Sequence, residues 1–489
     1  MSSRVKGILA GLIVLVILGV AAAVVLINRP EDSGDATVTT AATEPLTSRL
    51  IYDIDPAKIL SIFITNETGS YDISRYSVDG RDLWSIEEYA SLPLDSNFIV
   101  GIMTNVSTFT AARVVTDTPS DISVYGLAEP RAEVITLFDG GEMKDMLIGN
   151  PSPTAGETYV KLADDDTVYT IADAKVAKLL VSKNEAIAKT VYTPKQAASE
   201  EDTTPYARIN KMTIDRSDLT YDIVIEYDRR KDDPDRIVSN QTLYQMTSPV
   251  TLDLDPDRAE PTIGTVFSLT ASAVTAAFPD EATLAEYGFD EPFGSVKFDI
   301  VGGPFGMTFG NEIIGEDGKV TGRYCMVDDL DVIYEFTTDK LPWTTIKPLE
   351  ITSSLVTANY IFDLDGVSIT GSGFDEQFLQ TGTSDEDFAV THNGQNVADT
   401  QSYKTFYQFL LRLPAEELFL EDVSDEPVLT VHIYGEDIDD TLEFIHSDNR
   451  RTIVKYNGVT SFKIKTSYVN RLIDNIKLYN EGKPIVTTW

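Results

Sequence analysis

The chain has 489 residues, of which 42% are hydrophobic and 24% are charged, a composition typical of globular proteins. This length predicts several domains of about 100–200 residues each. The formal charge of −39 at pH 7 argues against binding to nucleic acid and against docking on anionic lipid, because both require a basic surface.

The N-terminal segment has the length and composition of a membrane anchor. Residues 8–27 form an apolar run without charge or proline, and a helix of about 20 residues spans the bilayer core of about 30 Å. Arg4 and Lys6 precede the run, so the positive-inside rule predicts a cytoplasmic N-terminus and an extracytoplasmic remainder after about residue 28. A cleaved signal peptide ending near Ala21-Ala22-Ala23 is the alternative, but the apolar run continues beyond those alanines.

Three units of similar organisation are predicted to follow the anchor. Each opens with strands, continues with a short amphipathic helix and ends in strands joined by tight turns. Short turns imply antiparallel pairing, so each unit is predicted to be an α+β domain with a mostly antiparallel twisted sheet and one or two covering helices. The predicted boundaries are 1–28 for the cytoplasmic tip and transmembrane anchor, which contacts membrane lipid, 29–48 for a flexible spacer, 49–192 for the first repeat domain, 193–205 for a linker, 206–348 for the second repeat domain and 349–489 for a degenerate third.

The helix in each unit is predicted from apolar residues at spacings of three and four, which place them on one buried stripe. These residues are Phe98, Ile99, Ile102, Met103 and Val106 in the first unit, Ile263, Val266 and Phe267 in the second, and Tyr403, Phe406, Tyr407 and Leu410 in the third.

A short pattern, Tyr-Gly-apolar-x-Glu-Pro, stands before a strand in two units and is degenerate in the third. Proline at the start of a strand removes only an unneeded donor and keeps the preceding residue extended, and glycine suits a turn with positive φ. We therefore interpret these residues as structural, although the recurring glutamates would also fit a functional role. They are Tyr125, Gly126, Glu129, Pro130, Tyr287, Gly288, Glu291, Pro292, Glu426 and Pro427.

Each complete motif is followed by a strand end and by two tyrosines ten residues apart that bracket an acidic turn. The strand ends are Leu147-Ile148-Gly149 and Phe309-Gly310, and the tyrosine pairs are Tyr159 with Tyr169 and Tyr324 with Tyr334. Together with the motif, these residues resemble a bacterial family of domains of unknown function over about residues 50–345. Members of that family are extracytoplasmic repeats with an N-terminal membrane anchor, commonly encoded beside gliding-motility-type auxiliary ABC transporter components. The resemblance implies a membrane-associated accessory role with a transporter permease as partner, and it names no catalytic residue.

No residue pattern nominates a catalytic, cofactor or metal site. Asp253, Asp255 and Asp257 alternate as in a calcium loop, but Arg258 and Gly264 stand where such a loop requires glycine and an acid. The single cysteine is interpreted as a buried thiol on a strand, and the three histidines lack the spacing of a zinc motif. Nucleophile-elbow, phosphate-loop and dinucleotide fingerprints do not occur. The residues concerned are Cys325, His392, His432 and His446.

The favoured function is therefore a non-catalytic, membrane-anchored extracytoplasmic binding or scaffolding protein, an accessory component of an ABC-type transport system, with no cofactor. The alternative is a module that binds envelope glycan or peptide in a groove between repeats, where Trp84 and Trp343 would stack on the ligand. The ordinary interpretation of both tryptophans is a role in the core. An envelope hydrolase with a pair of carboxylates is a third hypothesis.

Overall fold

The computed structural model describes residues 48–232, 242–353, 355–448 and 450–488. The predicted anchor, with its apolar run 8–27, lies outside these residues. Within the described ranges, no helix is both long and apolar enough to cross a bilayer. From Leu50 onward the chain forms one compact unit built on three large sheets, and the division into three domains stays a prediction.

The first large sheet has eight strands in the spatial order β4-β3-β2-β7-β8-β9-β10-β6. Its strands are β2 (Ile59–Asn66), β3 (Gly69–Val78), β4 (Arg81–Ser85), β6 (Arg113–Thr116), β7 (Ala132–Phe138), β8 (Met143–Pro151), β9 (Glu157–Leu162) and β10 (Val168–Ala172). Beside it, β1 (Arg49–Asp53) pairs with β5 (Thr108–Ala111) in a small two-stranded sheet. The helices are α1 (Ser96–Ser107) and α2 (Asp173–Val176), with 3-10 turns at Pro56–Lys58, Glu87–Tyr89, Ser123–Tyr125, Ala177–Leu179 and Lys183–Ala186.

The second sheet has nine strands in the order β14-β13-β12-β11-β16-β17-β18-β19-β15. They are β11 (Ile209–Arg216), β12 (Ile223–Tyr227), β13 (Tyr244–Ser248), β14 (Leu252–Asp253), β15 (Ala273–Ala277), β16 (Gly294–Ile300), β17 (Phe305–Ile314), β18 (Val320–Val327) and β19 (Val332–Thr337). The helices are α3 (Pro256–Gly264), α4 (Glu281–Glu286) and α5 (Pro348–Ile351), with 3-10 turns at Arg229–Asp232, Thr265–Ser268, Thr338–Lys340 and Pro342–Thr344.

The third sheet also has nine strands, in the order β23-β22-β21-β20-β25-β26-β27-β28-β24. They are β20 (Gly366–Gly371), β21 (Phe374–Thr381), β22 (Ala389–His392), β23 (Gln395–Asn396), β24 (Glu417–Leu418), β25 (Leu429–Gly435), β26 (Ile438–His446), β27 (Arg451–Tyr456) and β28 (Val459–Lys465). The helices are α6 (Thr400–Leu411) and α7 (Thr466–Asn480), with a 3-10 turn at Ile361–Asp363.

All three sheets are connected in the same way. A first meander leads to a helix, and the next strand of the same large sheet lies at its far edge. A second meander begins beside the first strand and ends against that edge strand. The central pairs are β2 with β7, β11 with β16 and β20 with β25, and all three are antiparallel. The prediction of mostly antiparallel sheets with few helices is therefore confirmed.

Tight turns explain why neighbouring strands pair antiparallel. Between β3 and β4, Asp79 and Gly80 adopt φ of 50° and 75°, and between β27 and β28, Asn457 and Gly458 adopt 52° and 77°. Two consecutive left-handed residues give the hairpin turn whose twist matches that of the strands it joins.

The helix of each first meander buries the apolar stripe that the sequence predicts. In α1 and α6 the stripes are buried, apart from Met103, which is half-buried. In the second sheet, α3 ends at Gly264 and a 3-10 turn carries Val266 into the core, while Phe267 stays half-buried. An aspartate caps each of the three helices by accepting from a backbone N–H of the first turn, which stabilises the helix start. The caps are Asp95, Asp255 and Asp399.

Two connecting segments tie neighbouring sheets together by main-chain hydrogen bonds. The first connecting segment (186–191) and the second (351–353 with 355–356) each pair with the residues just before one helix and just after the next. Before the helices, the bonds are Asp95 N to Ala186 O (2.8 Å), Ala188 N to Pro93 O (2.8 Å), Asp255 N to Ile351 O (2.9 Å) and Ser353 N to Asp253 O (2.8 Å). After the next helices, they are Ala271 N to Lys189 O (2.8 Å), Val191 N to Leu269 O (3.4 Å) and Val356 N to Leu413 O (3.2 Å).

Candidate binding surfaces

The Tyr-Gly pair of the motif packs against the end of a neighbouring strand. Gly126 and Gly288 adopt φ of 70° and 81°, the positive values that the sequence predicts for them. The partners are Gly149 of β8 and Gly310 of β17. A side chain on either partner glycine would collide with the carbonyl oxygen of the motif tyrosine, so both backbones need glycine at this crossing.

The motif tyrosines complete this contact with their rings. Tyr125 packs edge-on against Tyr159 at a centroid distance of 5.0 Å, and Tyr287 packs in the same way against Tyr324 at 4.6 Å. The second tyrosine of each predicted pair, Tyr169 or Tyr334, is buried in the core instead. Both complete motifs therefore form the same packed corner at the start of a central strand.

The three recurring glutamates do not converge on a site. Glu129, Glu291 and Glu426 are exposed and lie in the turns before β7, β16 and β25, on three different sheets. The prolines that follow them, Pro130, Pro292 and Pro427, precede the same strands and range from exposed to half-buried.

A half-open apolar groove lies at the free edge of the first sheet, between β4 and α1. Its volume is about 360 Å³. Trp84 lies half-buried in its wall, and Tyr76, Leu83 and Val100 are between 43% and 56% exposed there. Aromatic faces beside a few polar groups are what a sugar ring or an extended peptide would contact. The lining also includes Asp82, Ser85, Tyr89, Ala90, Leu92, Leu94, Ser96 and Ile99.

Trp343 has no such exposure, so the alternative in which it stacks on a ligand is wrong and the ordinary interpretation, a role in the core, holds for it. Its side chain is 0% exposed and packs edge-on against Phe298 at 5.4 Å. Its indole N–H donates to the Thr262 carbonyl at 3.2 Å, and its own carbonyl accepts from Arg216 at 3.2 Å. This tryptophan is a core anchor, because both its ring and its polar groups are satisfied inside the second sheet.

The alternating aspartates serve the protein's own structure. Asp255 caps α3, and Asp253 accepts from Arg230 at 2.8 Å and from Gln245 at 3.1 Å. A polar cavity of about 200 Å³ opens beside Asp253, between the second and third sheets. On its far wall, Asp440 accepts from Tyr456, Asn457, Thr357 and Asn359. In the part of the chain that the structure describes, no group of three or more His, Cys, Asp or Glu side chains could hold a metal ion.

The histidines and the cysteine lie apart from one another. His392 contacts the nearly buried Glu376 at 2.6 Å, His432 contacts the exposed Asp439 at 2.6 Å, and His446 is exposed at the end of β26. Cys325 is fully buried in β18, and burial raises the pKa of its thiol far above the ordinary value. A neutral buried thiol fits the inert role that the sequence predicts.

Comparison with known protein families finds one family model whose match includes both complete copies of the motif. Residues 84–292 match the model of a domain of unknown function (DUF4340). The match begins in β4 and ends at Pro292, so it includes both complete copies of the motif. It confirms a family of unknown function for this stretch, whereas the association with a transporter stays a prediction. No curated protein matches the chain.

Two features of these surfaces escape sequence reasoning. The first is the asparagine that follows the strand-end glycine, Asn150 or Asn311, whose side chain lies against the motif glycine. The Gly-Asn repetition itself was the signal that could have revealed it. The second is the pair of connecting segments, which bind through backbone atoms and therefore leave no side-chain pattern in the sequence.

Proposed function

We propose that this chain is a non-catalytic binding and scaffolding protein of the cell envelope. In this proposal residues 8–27 anchor it in the membrane with the N-terminus in the cytoplasm, and residues after about 28 lie outside. The predicted units 49–192, 206–348 and 349–489 form three repeated domains that present binding surfaces to a partner. That partner is an ABC-type transporter in the same membrane.

The observation that supports scaffolding is the repeated main-chain connection between sheets. Each connecting segment makes two short hydrogen bonds with the sheet behind it and at least one with the sheet ahead. Such pairing bonds each connecting segment to residues of both neighbouring regions, which suits a protein that holds several binding surfaces at set distances. A scaffold of this kind needs surfaces and spacing rather than reactive groups.

The membrane and transporter parts of the proposal rest on the sequence. The apolar run behind Arg4 and Lys6 has the length and flanking charge of a single-pass anchor. The transporter comes from the family resemblance, since the matching domain carries no assigned function.

Crosslinking in living cells tests this proposal. The full chain with a C-terminal tag is crosslinked, extracted in mild detergent and purified, and co-purifying proteins are identified by mass spectrometry. We expect a permease and its ATPase in stoichiometric amounts. Loss of the transport phenotype on deleting residues 49–489 would agree, whereas full transport by a strain whose chain lacks residues 1–28 would contradict the anchored role.

A second candidate function is ligand binding in the Trp84 groove. The groove is the observation that favours it, because a half-buried tryptophan beside exposed Tyr76 and Leu83 leaves apolar surface uncovered. Binding of the full chain to peptidoglycan glycan strands and to short extended peptides would be measured by calorimetry.

Variants at two exposed aromatic sites give this candidate a matched test. Trp84→Ala removes the groove wall, whereas Phe63→Ala removes a side chain that is 43% exposed on the same sheet and does not line the groove. We expect Trp84→Ala to weaken binding by about tenfold or more and Phe63→Ala to leave it unchanged. Equal binding by both variants would eliminate the groove as the site.

A further inference from the structure

The third sheet carries the same pair of backbone groups, one donor and one acceptor, that the connecting segments occupy in the other two. In the first two sheets, the N–H of the aspartate cap donates to a connecting segment, and the carbonyl two residues earlier accepts from it. The equivalent groups in the third sheet are the N–H of Asp399 and the carbonyl of Val397. In the described ranges, neither group forms a backbone hydrogen bond with the chain that follows α7.

A cavity of about 650 Å³ lies where that third segment would run. It separates the N-terminal half of α6 from the residues after α7. Ala398, which corresponds to the partly or fully buried Leu94 and Leu254, is exposed. The walls include Val397, Asp399, Thr405, Tyr479, Pro484 and Ile485.

The chain's own C-terminal residues are held away from this position. The side-chain amide of Asn475, itself 0% exposed, accepts from the Val486 N–H and donates to the Val486 carbonyl, both at 2.9 Å. Arg412 additionally donates to the Thr487 carbonyl at 3.1 Å. The Val486 N–H is therefore bonded to Asn475 and is not free to donate to the Val397 carbonyl.

The two filled positions define the chemistry of the missing occupant. Between its two hydrogen bonds, the first connecting segment places Ile187, which is 0% exposed, and the second places Thr352, which is 2% exposed. Both residues are β-branched, which suits an extended backbone. An occupant of the third position therefore needs an extended stretch with a β-branched residue between a free carbonyl and a free N–H.

We propose that this cavity binds an extended segment of a partner protein by the same two-bond backbone pairing. The occupant places a β-branched side chain over Ala398, accepts from Asp399 N–H and donates to the Val397 carbonyl. This mode adds a strand-like peptide to an exposed edge, where main-chain hydrogen bonds supply affinity and the side-chain pocket supplies selectivity. The proposal deepens the scaffolding role proposed above and rests on it, while it assigns the contact to the third sheet.

A peptide copied from the first connecting segment is the probe. The fluorescein-labelled peptide of residues 184–191, Asn-Glu-Ala-Ile-Ala-Lys-Thr-Val, is titrated into the full chain in mild detergent, and its anisotropy is recorded. The equivalent positions on the first two sheets are already filled, so we expect one saturable site. Backbone hydrogen exchange at Asp399 is expected to slow when the peptide binds, because its N–H becomes bonded.

Two matched changes locate the binding. Thr405→Trp fills the cavity, whereas Gln408→Trp adds the same side chain at an exposed position of α6. We expect the first to weaken binding at least about tenfold and the second to change it less than about twofold. A peptide N-methylated at the position of Ala188 lacks the donor for Val397, and its loss of binding tests the pairing without any change in the protein.

Absence of binding, or binding that neither Thr405→Trp nor N-methylation weakens, would overturn this inference. The outcome of the peptide-binding experiment can be distinguished from that of the transporter co-purification. A transporter that co-purifies while the peptide fails to bind would leave the scaffolding proposal standing and remove this contact. A peptide that binds as expected while no transporter is recovered would keep the contact and remove the proposed partner.

Discussion

The second and third sheets share their connectivity but differ where the motif meets the sheet. In the second, Gly288 and its tyrosine cross Gly310 at close range. In the third, the Tyr-Gly pair is missing and Ile445, which is 1% exposed, stands in the place of Gly310. The registers agree, because equivalent backbone bonds precede this position: Phe293 N to Phe309 O (2.9 Å) and Val428 N to Phe444 O (2.8 Å). The tyrosine corner and its glycine partner are thus one packing unit, present or absent together.

The third sheet has a polar cluster of its own at a different place, on β21 and β22. Glu376, which is 5% exposed, accepts from Asn480 at 2.6 Å and Asn393 at 2.9 Å and contacts His392 at 2.6 Å. The His392 ring stacks on Phe378 at a centroid distance of 4.4 Å. Because Asn480 ends α7, this cluster ties the last helix to β21 and β22. The second sheet is thus packed by a close backbone crossing at β17, whereas the third has a buried carboxylate that joins β21 and β22 to its last helix.

Placing a methyl group in the close crossing gives the largest expected effect. In Gly310→Ala the new carbon would collide with the Tyr287 carbonyl and lie 2.9 Å from the ring of Phe289. We expect the free energy of unfolding to fall by about 1–3 kcal/mol, measured by urea denaturation. Gly264→Ala is the control, since nothing lies within 4 Å of its new carbon and its backbone is helical. Equal midpoints for the two variants would show that the crossing tolerates a side chain.

Backbone strain at the motif glycine should lower the free energy of unfolding by less than the collision at Gly310 does. In Gly288→Ala an L-residue must adopt φ of 81° and its side chain meets Asn311, whereas Gly318→Ala imposes φ of 75° with open space around it. We expect about 1–2 kcal/mol for the first change and less for the second, because only the backbone term remains there. Urea midpoints measure both. A larger loss for Gly318→Ala would mean that the Asn311 contact does not matter.

The cluster in the third sheet predicts a dependence on pH. Burial opposes ionisation of Glu376, but the hydrogen bonds from Asn480, His392 and Asn393 outweigh it and hold the pKa of this carboxyl below its ordinary value. The stabilisation is therefore complete above the unfolded-state pKa of about 4.3 and is lost as pH falls through the folded-state pKa. We expect Glu376→Gln to lower the free energy of unfolding by about 1 kcal/mol at neutral pH, with the difference shrinking in acid.

Urea denaturation at neutral and acidic pH measures the size of that difference. Glu426→Gln is the matched control, because its carboxylate is exposed on the same sheet. A gap between Glu376→Gln and the unmodified chain that stays constant down to acidic pH would show that the Glu376 charge does not stabilise the fold.

The motif glutamates give the smallest expected effect. Glu291→Ala removes an exposed side chain, and we expect a change within about 0.5 kcal/mol. The same holds for Glu129→Ala and Glu426→Ala, with thermal denaturation as the measurement. If one variant kept its stability but lost a co-purifying partner, that glutamate would have to be reassigned from structure to binding.

The parts of the fold that depend on the spacing and type of side chains could be predicted from the sequence. The parts that depend on hydrogen bonds between backbone atoms could not. The buried stripe of α6, with Tyr403, Phe406 and Tyr407, and the positive φ of Gly126 follow from spacing and residue type. The tie between Ala188 and Pro93 does not, because any residue but proline can donate its N–H.

The same limit applies to the candidate binding surfaces, because long-range packing decides which side chains are exposed. Trp84 and Trp343 are the same type of residue, yet Trp84 lines a groove and Trp343 is fully buried. The difference lies in long-range packing: Trp343 meets Phe298 and the Thr262 carbonyl, both remote in sequence. The partnership of Glu376 with Asn480 is equally remote, so no local pattern indicates it.

The connecting segments also bear on the order in which the chain folds during synthesis. The residues before α1 receive their backbone partners only when residues 186–188 have left the ribosome, and those before α3 wait for 351–353. The residues before each helix thus acquire backbone partners from the stretch that follows the last strand of their sheet, so that folding advances in steps along the nascent chain. A ribosome stalled so that residue 185 has just emerged from its exit tunnel should therefore display a first sheet that is assembled but still readily opened by protease near α1.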